Sequence, residues 1–511
     1  MNSFINAMGP NGLTYTENGA LTHVNSGNPL IDFFFHGAAL RNETNTQRVM
    51  DLFNKAFNKY PEETLRVLFY IRDVRGGQGE RQVFRTILLN KIFESKHFAE
   101  WFCNHLFLIP EYGRWDDLVY IYTECFKRIA LIPQSIAVTF FNNGYNFIRN
   151  TLESDYKLAQ QNLPCSLLAK WLPSENTSSK DTVERARMMI NYIMGGNARE
   201  YRKMLSFIRK HLRIVEQDIS AKTYENINYE QVPAKANLKY RNAFRKHDKE
   251  RYSEYLSNVA QNKAKMQTKT LYPYEIVQKV INFNDYMHVL NISEDEINAL
   301  NLMWKNLPDY VDNINGLVVA DTSGSMTGLP MNVSVSLAMY IAERNKNKAF
   351  KDYFISFSHE PKFHKIIGDT LIERVKSVQL GDIATTDIHK VFTLILDRAV
   401  KYSVPNEDMP KTLLIISDMQ FDAACYNRSQ TNFEAIKRLY KDAKYDMPTL
   451  VFWNVASRHN QCPISVNEKG VILLSGCNPI IMKYAMNNCR SPMDIINEII
   501  NDNRYSRITI N

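Results

Sequence analysis

The residues best suited to chemistry stand at Asp321-Thr322-Ser323-Gly324-Ser325, where a carboxylate is followed by two serine hydroxyls at alternate positions. Oxygen-only donors of this kind suit a hard divalent cation, Mg²⁺ or Mn²⁺, which keeps part of its water shell and favours octahedral geometry. The same residue types also cap helices, so the pattern alone is weak. Two further stretches strengthen it. Thr385-Thr386-Asp387 opens an apolar-periodic helix over 388–400, and Thr412-Leu413-Leu414-Ile415-Ile416-Ser417-Asp418 is an apolar run ending in an acid. The candidate ligands are therefore Asp321, Ser323, Ser325, Thr386 and Asp418, with Thr385 able to take the place of Thr386 by a one-residue slip.

Positioning these groups requires strands and tight loops. Gly316-Leu317-Val318-Val319-Ala320 climbs to Asp321, and beyond Gly328 and Pro330 apolar residues recur at helical spacing over 331–345. Strands are expected near 316–321, 352–357, 362–367, 412–418, 449–455 and 471–475, with helices near 329–346, 388–402, 431–444 and 478–489. That alternation argues a mostly parallel, doubly wound α/β sheet, the 352–367 pair forming an antiparallel hairpin at one edge. Ligands of such sheets sit outside the carboxyl ends of the strands, where the strand order reverses. Loops carrying Asp321, Thr386 and Asp418 can converge there.

Asp-x-Ser-x-Ser, then Thr, then Asp resembles the metal-ion-dependent adhesion site (MIDAS) of von Willebrand factor A domains. The resemblance implies a Rossmann-like domain over 312–511 in which the hydroxyls matching Ser323, Ser325 and Thr386 touch the metal. The acids matching Asp321 and Asp418 would act largely through water, and the carboxylate of an acidic protein partner would complete the shell. With few direct negative charges the ion stays electrophilic.

The chain of 511 residues is long enough for two or more domains, and 45% hydrophobic and 12% aromatic residues supply a real core. Met1-Asn2-Ser3-Phe4 lacks the features of a secretory signal, and no run approaches the roughly 18 apolar residues of a membrane span. Seven scattered cysteines without a Cys-x-x-Cys pair fit reduced thiols in the cytoplasm and exclude a zinc ribbon. His359 and His364 are expected in loop or solvent-facing roles. Residues 1–29 read as a mobile or loosely docked arm. The stretch 30–311 reads as an all-α region of successive helices with short loops, in the manner of an α-solenoid or HEAT-like repeat.

The net charge of +8 is concentrated: residues 199–269 hold 17 Lys+Arg against 8 Asp+Glu. Arg199, Arg202, Lys203, Arg209 and Lys210 lie on one amphipathic helix, and Lys239, Arg241, Arg245 and Lys246 are interleaved with Tyr240, Phe244 and Tyr252. Charge for the backbone and rings for the bases is the chemistry of single-stranded nucleic acid, and also that of a solvated helix whose rings point inward. Arg72, Arg75 and Arg81 flank a loop with Gly76, Gly77 and Gly79 that can present amides and guanidinium forks to a phosphate, or pair with Asp73 and Glu80. The loop lacks the Gly-Lys-Ser/Thr ending of a P-loop, so nucleotide hydrolysis is not indicated.

Arg72-Asp73-Val74-Arg75-Gly76-Gly77, Tyr112-Gly113-Arg114-Trp115-Asp116, Lys170-Trp171-Leu172-Pro173 and Val451-Phe452-Trp453-Asn454 resemble a family of plant and large-DNA-virus proteins that join a helical region to an A-type domain. More distantly, the domain order is similar to the TROVE-domain Ro ribonucleoproteins, which implies binding of small or misfolded RNA. The expected function is thus a non-enzymatic RNA-binding ribonucleoprotein scaffold with a divalent-metal site. The alternative is a metal-dependent protein–protein adaptor that never touches nucleic acid. With no general base or second carboxylate-rich metal position, a metal-dependent hydrolase is not expected.

Overall fold

A computed structural model describes residues 12–282, 288–311, 314–357, 360–378, 387–422, 431–465, 468–485 and 491–510. Thr385, Thr386 and His359 lie outside the described residues.

Local signals set the helices. Pro29–Gly37, Thr46–Lys59 and Lys96–Asn104 begin after Asn28, Asn45 and Ser95, whose side chains accept first-turn amides. Pro29 and Pro61 open their helices where no amide hydrogen is needed. Pro61–Arg72, Gln82–Glu94, Trp115–Lys127 and Gln134–Gln160 continue the run. Neighbours in sequence pack together: Thr46–Lys59 lies against Pro29–Gly37, Pro61–Arg72 and Gln82–Glu94. Further on, the basic run divides at Asp248 into helices Ala234–His247 and Lys249–Ala260. With Val215 and Tyr229 these build a small core of their own around Phe244, Tyr252 and Tyr255.

A mixed α/β unit follows. Two short hairpins, β1 (Leu13–Tyr15) with β2 (Leu21–His23) and β3 (Ile281–Asn282) with β4 (His288–Val289), precede it in the chain. Its strands are β5 (Gly316–Asp321), β6 (Tyr353–Phe357), β7 (Lys362–Lys365), β8 (Thr412–Ser417), β9 (Thr449–Asn454) and β10 (Val471–Ser475). They form one sheet in the order β10-β9-β8-β5-β6-β7, parallel except for the β6–β7 edge hairpin. Every residue of β5 and β10 is buried, so both faces of the sheet are covered, which is why these strands read as unbroken apolar runs. His364 on β7 is a correction to the expected solvent-facing role: it is buried, 2.6 Å from the Ser356 hydroxyl.

The helical region and the sheet share one continuous apolar core. Ser475 donates to the Phe34 carbonyl (2.6 Å), and the Trp101 indole donates to Thr509 (2.7 Å). Arg504 grips the buried Asp73 carboxylate with two nitrogens. Of the expected arm, the described part is docked: β1 and β2 sit on the sheet's loops through a Thr16 hydroxyl bond to Phe421 (2.6 Å) and backbone pairing of His23 with Cys462. No helix among the described residues is long and apolar enough to cross a membrane.

Candidate functional site

The chain order reverses between β5 and β8, the two central strands. Their parallel register pairs Ala320 with Ile416, so Asp321 and Ser417 follow side by side at the carboxyl ends. Ser417 donates its hydroxyl to Asp321 Oδ2 at 2.5 Å. Asp321 Oδ1 accepts the Ser323 amide at 2.9 Å, which turns the chain away from the strand. A 3₁₀ turn, Gly324–Met326, then brings the Ser325 hydroxyl to 3.1 Å from that of Ser323. Gly328, at φ 99°, makes the backbone turn that L side chains avoid and leads into helix Leu329–Arg344, which packs on β5, β6 and β8.

Asp418 stands one residue beyond Ser417. Its Oδ1 accepts the Gln420 amide at 3.1 Å, while the buried Oδ2 has no hydrogen-bond partner, the Arg458 guanidinium being 3.9 Å away. Burial, and then the Asp418 charge, push the Asp321 carboxyl up to about 7. Burial likewise raises Asp418, with the Gln420 amide and the nearby Ser325 hydroxyl pulling it back. Two carboxylates are thus crowded into a dry site with one oxygen unanswered, and a cation is what relieves both faults. The donor set is hydroxyl-rich with only two acids, and no cluster of three His, Cys, Asp or Glu occurs among the described residues. Such donors suit Mg²⁺ or Mn²⁺ and not zinc. Asp321, Ser323, Ser325 and Asp418 are brought together; Thr386 falls outside the described residues, next to Asp387, which caps helix Ile388–Lys401.

Four neighbours went unrecognised in sequence reasoning. Ser417 orients Asp321 and is legible as the residue before the second acid. Arg458 and His459, in the loop after β9, both pair with Glu17, at 3.2 and 2.7 Å. Glu17 comes from the β1–β2 hairpin, about 400 positions away in sequence, where only the folded chain reveals it.

The cationic candidates divide. Arg199, Lys203, Lys210, Lys239 and Lys246 are exposed, and Arg202 is exposed while paired with Glu175. Arg209 is a structural tie, donating to the carbonyls of Ala169 and Leu172. Arg241 is buried against Glu296, and Arg245 reaches the Ser293 hydroxyl. Phe244 and Tyr252 are buried and Tyr240 packs against them, so the proposed base platform is absent from this segment. In the glycine loop Arg72 is buried on Asp117, while Arg75 and Arg81 are exposed, Arg75 donating to the Pro110 and Glu111 carbonyls and Arg81 lying 3.7 Å from Asp116. The pairing there is not with Asp73 and Glu80: Asp73 takes Arg504, and Glu80 takes Arg41.

Comparison with known proteins gives two domain matches and a relative. A domain of unknown function, DUF2828, matches residues 16–92 and 165–316, and a second, DUF7788, matches residues 315–505. Uncharacterized protein L728 of Acanthamoeba polyphaga mimivirus is 28% identical over 502 residues, covering 93% of this chain and 85% of the relative. The two matches meet at Gly316, where β5 begins, so the sequence boundary and the structural one coincide. Across 93% of its length the chain is thus similar to the mimivirus protein, its helical part matching DUF2828 and its α/β part matching DUF7788.

Proposed function

We propose that this protein is a non-enzymatic binding scaffold whose α/β domain, of von Willebrand factor A type, holds Mg²⁺ or Mn²⁺ at a MIDAS-like site and engages an acidic protein partner there. The observation that carries this reading is the juxtaposition of Asp321, Ser323, Ser325 and Asp418 at the strand-order reversal, with the buried Asp418 Oδ2 lacking a hydrogen bond. Asp321, Ser323, Ser325 and Asp418 would hold the ion, with Thr386 as the matching third hydroxyl. The ion supplies an electrophilic point for a carboxylate. The chain's own contribution is to keep negative charge low, so that the ion retains its appetite for an acidic ligand. Free thiols at Cys103, Cys125, Cys165, Cys462 and Cys477 support a reducing, cytoplasmic setting.

A second reading, an RNA-binding ribonucleoprotein scaffold with a HEAT-like or TROVE-like helical region, is supported by the exposed cations Arg199, Lys203, Lys210, Lys239 and Lys246. It rests mainly on charge, since Phe244 and Tyr252 are buried and Phe207 is the exposed ring on helix Ala198–His211. Affinity capture in Mg²⁺ or in EDTA, with and without nuclease, tests both. Partners that survive nuclease and are lost in EDTA are expected from the adaptor reading. Partners lost to nuclease and indifferent to EDTA would overturn it in favour of RNA.

A further inference from the structure

Away from the metal site, a cavity of about 430 Å³ opens where the early helices meet residues 235–274. Its wall carries Arg41, Arg72, Arg81, Arg114 and Lys235 against a single carboxylate, Glu80. Counting the acids just behind the wall, most of this charge is matched: Arg41 holds Glu80, Arg72 and Arg85 share Asp117, and Lys235 reaches Glu275 at 2.8 Å. Arg114 is the exception. It forms no ion pair with a carboxylate among the described residues, and its guanidinium lies 4.8 Å from the Trp171 ring, which fixes its plane. Burial, and then the neighbouring Arg72 charge, lower its pKa, with the Asp116 and Asp117 charges opposing them. Arg81 adds a second fork with only a long 3.7 Å contact to Asp116.

Backbone amides reinforce the guanidinium groups. Helix Gln82–Glu94 starts at this wall with Gln82 among the lining residues, and its N-terminus has no side-chain cap. First-turn amides at a helix N-terminus favour an anion, and planar guanidinium forks select oxyanions with several oxygens. The walls are held by side-chain bonds that leave the cavity preformed: Tyr272 donates to Gln78 (2.9 Å), and Arg41 to Tyr274 (2.6 Å). A Cβ on Gly79 would stand 2.3 Å from the Tyr272 hydroxyl, so the glycine keeps loop and wall in contact.

We propose that this cavity is an oxyanion site that takes a phosphate monoester, with Arg114 and Arg81 as its principal ligands. Such a group comes from a small phosphorylated molecule or from the phosphorylated end of an RNA strand. A second, larger groove of about 1090 Å³ shares Arg81 and contains Trp171, and so offers a path for whatever the phosphate is attached to. The site is independent of the metal reading, so it is tested with EDTA present.

Calorimetric titration of the full-length protein in EDTA with inorganic phosphate and pyrophosphate should show saturable binding. Arg114→Gln combined with Arg81→Gln should weaken it by about tenfold or more, while Lys437→Gln, on the far α/β domain, leaves it unchanged. Arg114→Lys, which keeps charge but loses the fork, should fall between. A 5′-phosphorylated oligoribonucleotide that binds about tenfold tighter than its 5′-hydroxyl form assigns the RNA end as source. Equal binding of the two oligonucleotides alongside saturable pyrophosphate binding assigns a small phosphorylated molecule. Failure of the unmodified protein to bind phosphate or pyrophosphate at millimolar concentration overturns the site, whatever the fold of the variants. Equal pyrophosphate affinity in the unmodified protein and the folded double variant overturns it as well.

Discussion

At the scale of single residues the account turns on unequal treatment of two acids. Asp321 has both oxygens satisfied by Ser323 and Ser417, whereas Asp418 keeps one buried oxygen bare. Asp321→Asn is close to isosteric and removes the repulsion between the pair. It should raise the stability of the cation-free protein by on the order of 1 kcal/mol while abolishing the response to Mg²⁺, read by thermal unfolding in EDTA and in Mg²⁺. A variant merely damaged in packing would lose stability in both. His36 gives a separate, pH-dependent prediction. Burial, and then the Arg48 charge, lower its imidazole to about 3, so the ring is neutral in the fold and ionises near 6.5 in the unfolded chain. Its contribution is complete above pH 6.5 and is lost as pH falls toward 3, by about 1.4 kcal/mol per pH unit. His36→Gln should flatten that acid limb in equilibrium unfolding; an unchanged slope would count against it.

Elements explain why much of this was readable. The β5 and β8 runs end in acids because a strand buried on both faces must be apolar until it reaches the sheet's rim, so periodicity and punctuation marked the loops that carry Asp321 and Asp418. The bounds of β9 and β10 followed for the same reason. The glycine loop stayed open between two readings because glycine and arginine look alike in a phosphate loop and in a tight junction. Here Gly77 is small because a Cβ would stand 2.0 Å from the Tyr70 carbonyl oxygen. Gly77→Ala should therefore cost about 1–3 kcal/mol or more in denaturant unfolding, with no dependence on added phosphate. The basic helices were open to two readings in a similar way. Amphipathic spacing showed that Tyr240, Phe244 and Tyr252 share a region with the cations, and only packing shows that they face inward.

The whole molecule adds what no stretch of sequence announces. Glu17 reaches Arg458 and His459 beside Asp418 because a hairpin near one end of the chain docks on loops from the other. The helical region and the sheet share a core that arises from contacts between residues hundreds of positions apart. Arg504→Ala leaves the buried Asp73 without its main partner and should cost about 3 kcal/mol. Circular dichroism of the helices and fluorescence of Trp453 in β9 should shift together, in one transition. Separate transitions would show that the helical region and the sheet do not stabilise one another.

The most direct measurement is calorimetric titration of Mg²⁺ and Mn²⁺ into the full-length protein and into Ser323→Ala and Asp418→Asn variants that retain the unmodified secondary structure. One saturable site in the unmodified chain, lost in both variants, is the predicted result. No binding to the unmodified chain, or undiminished binding to both variants, contradicts the central claim.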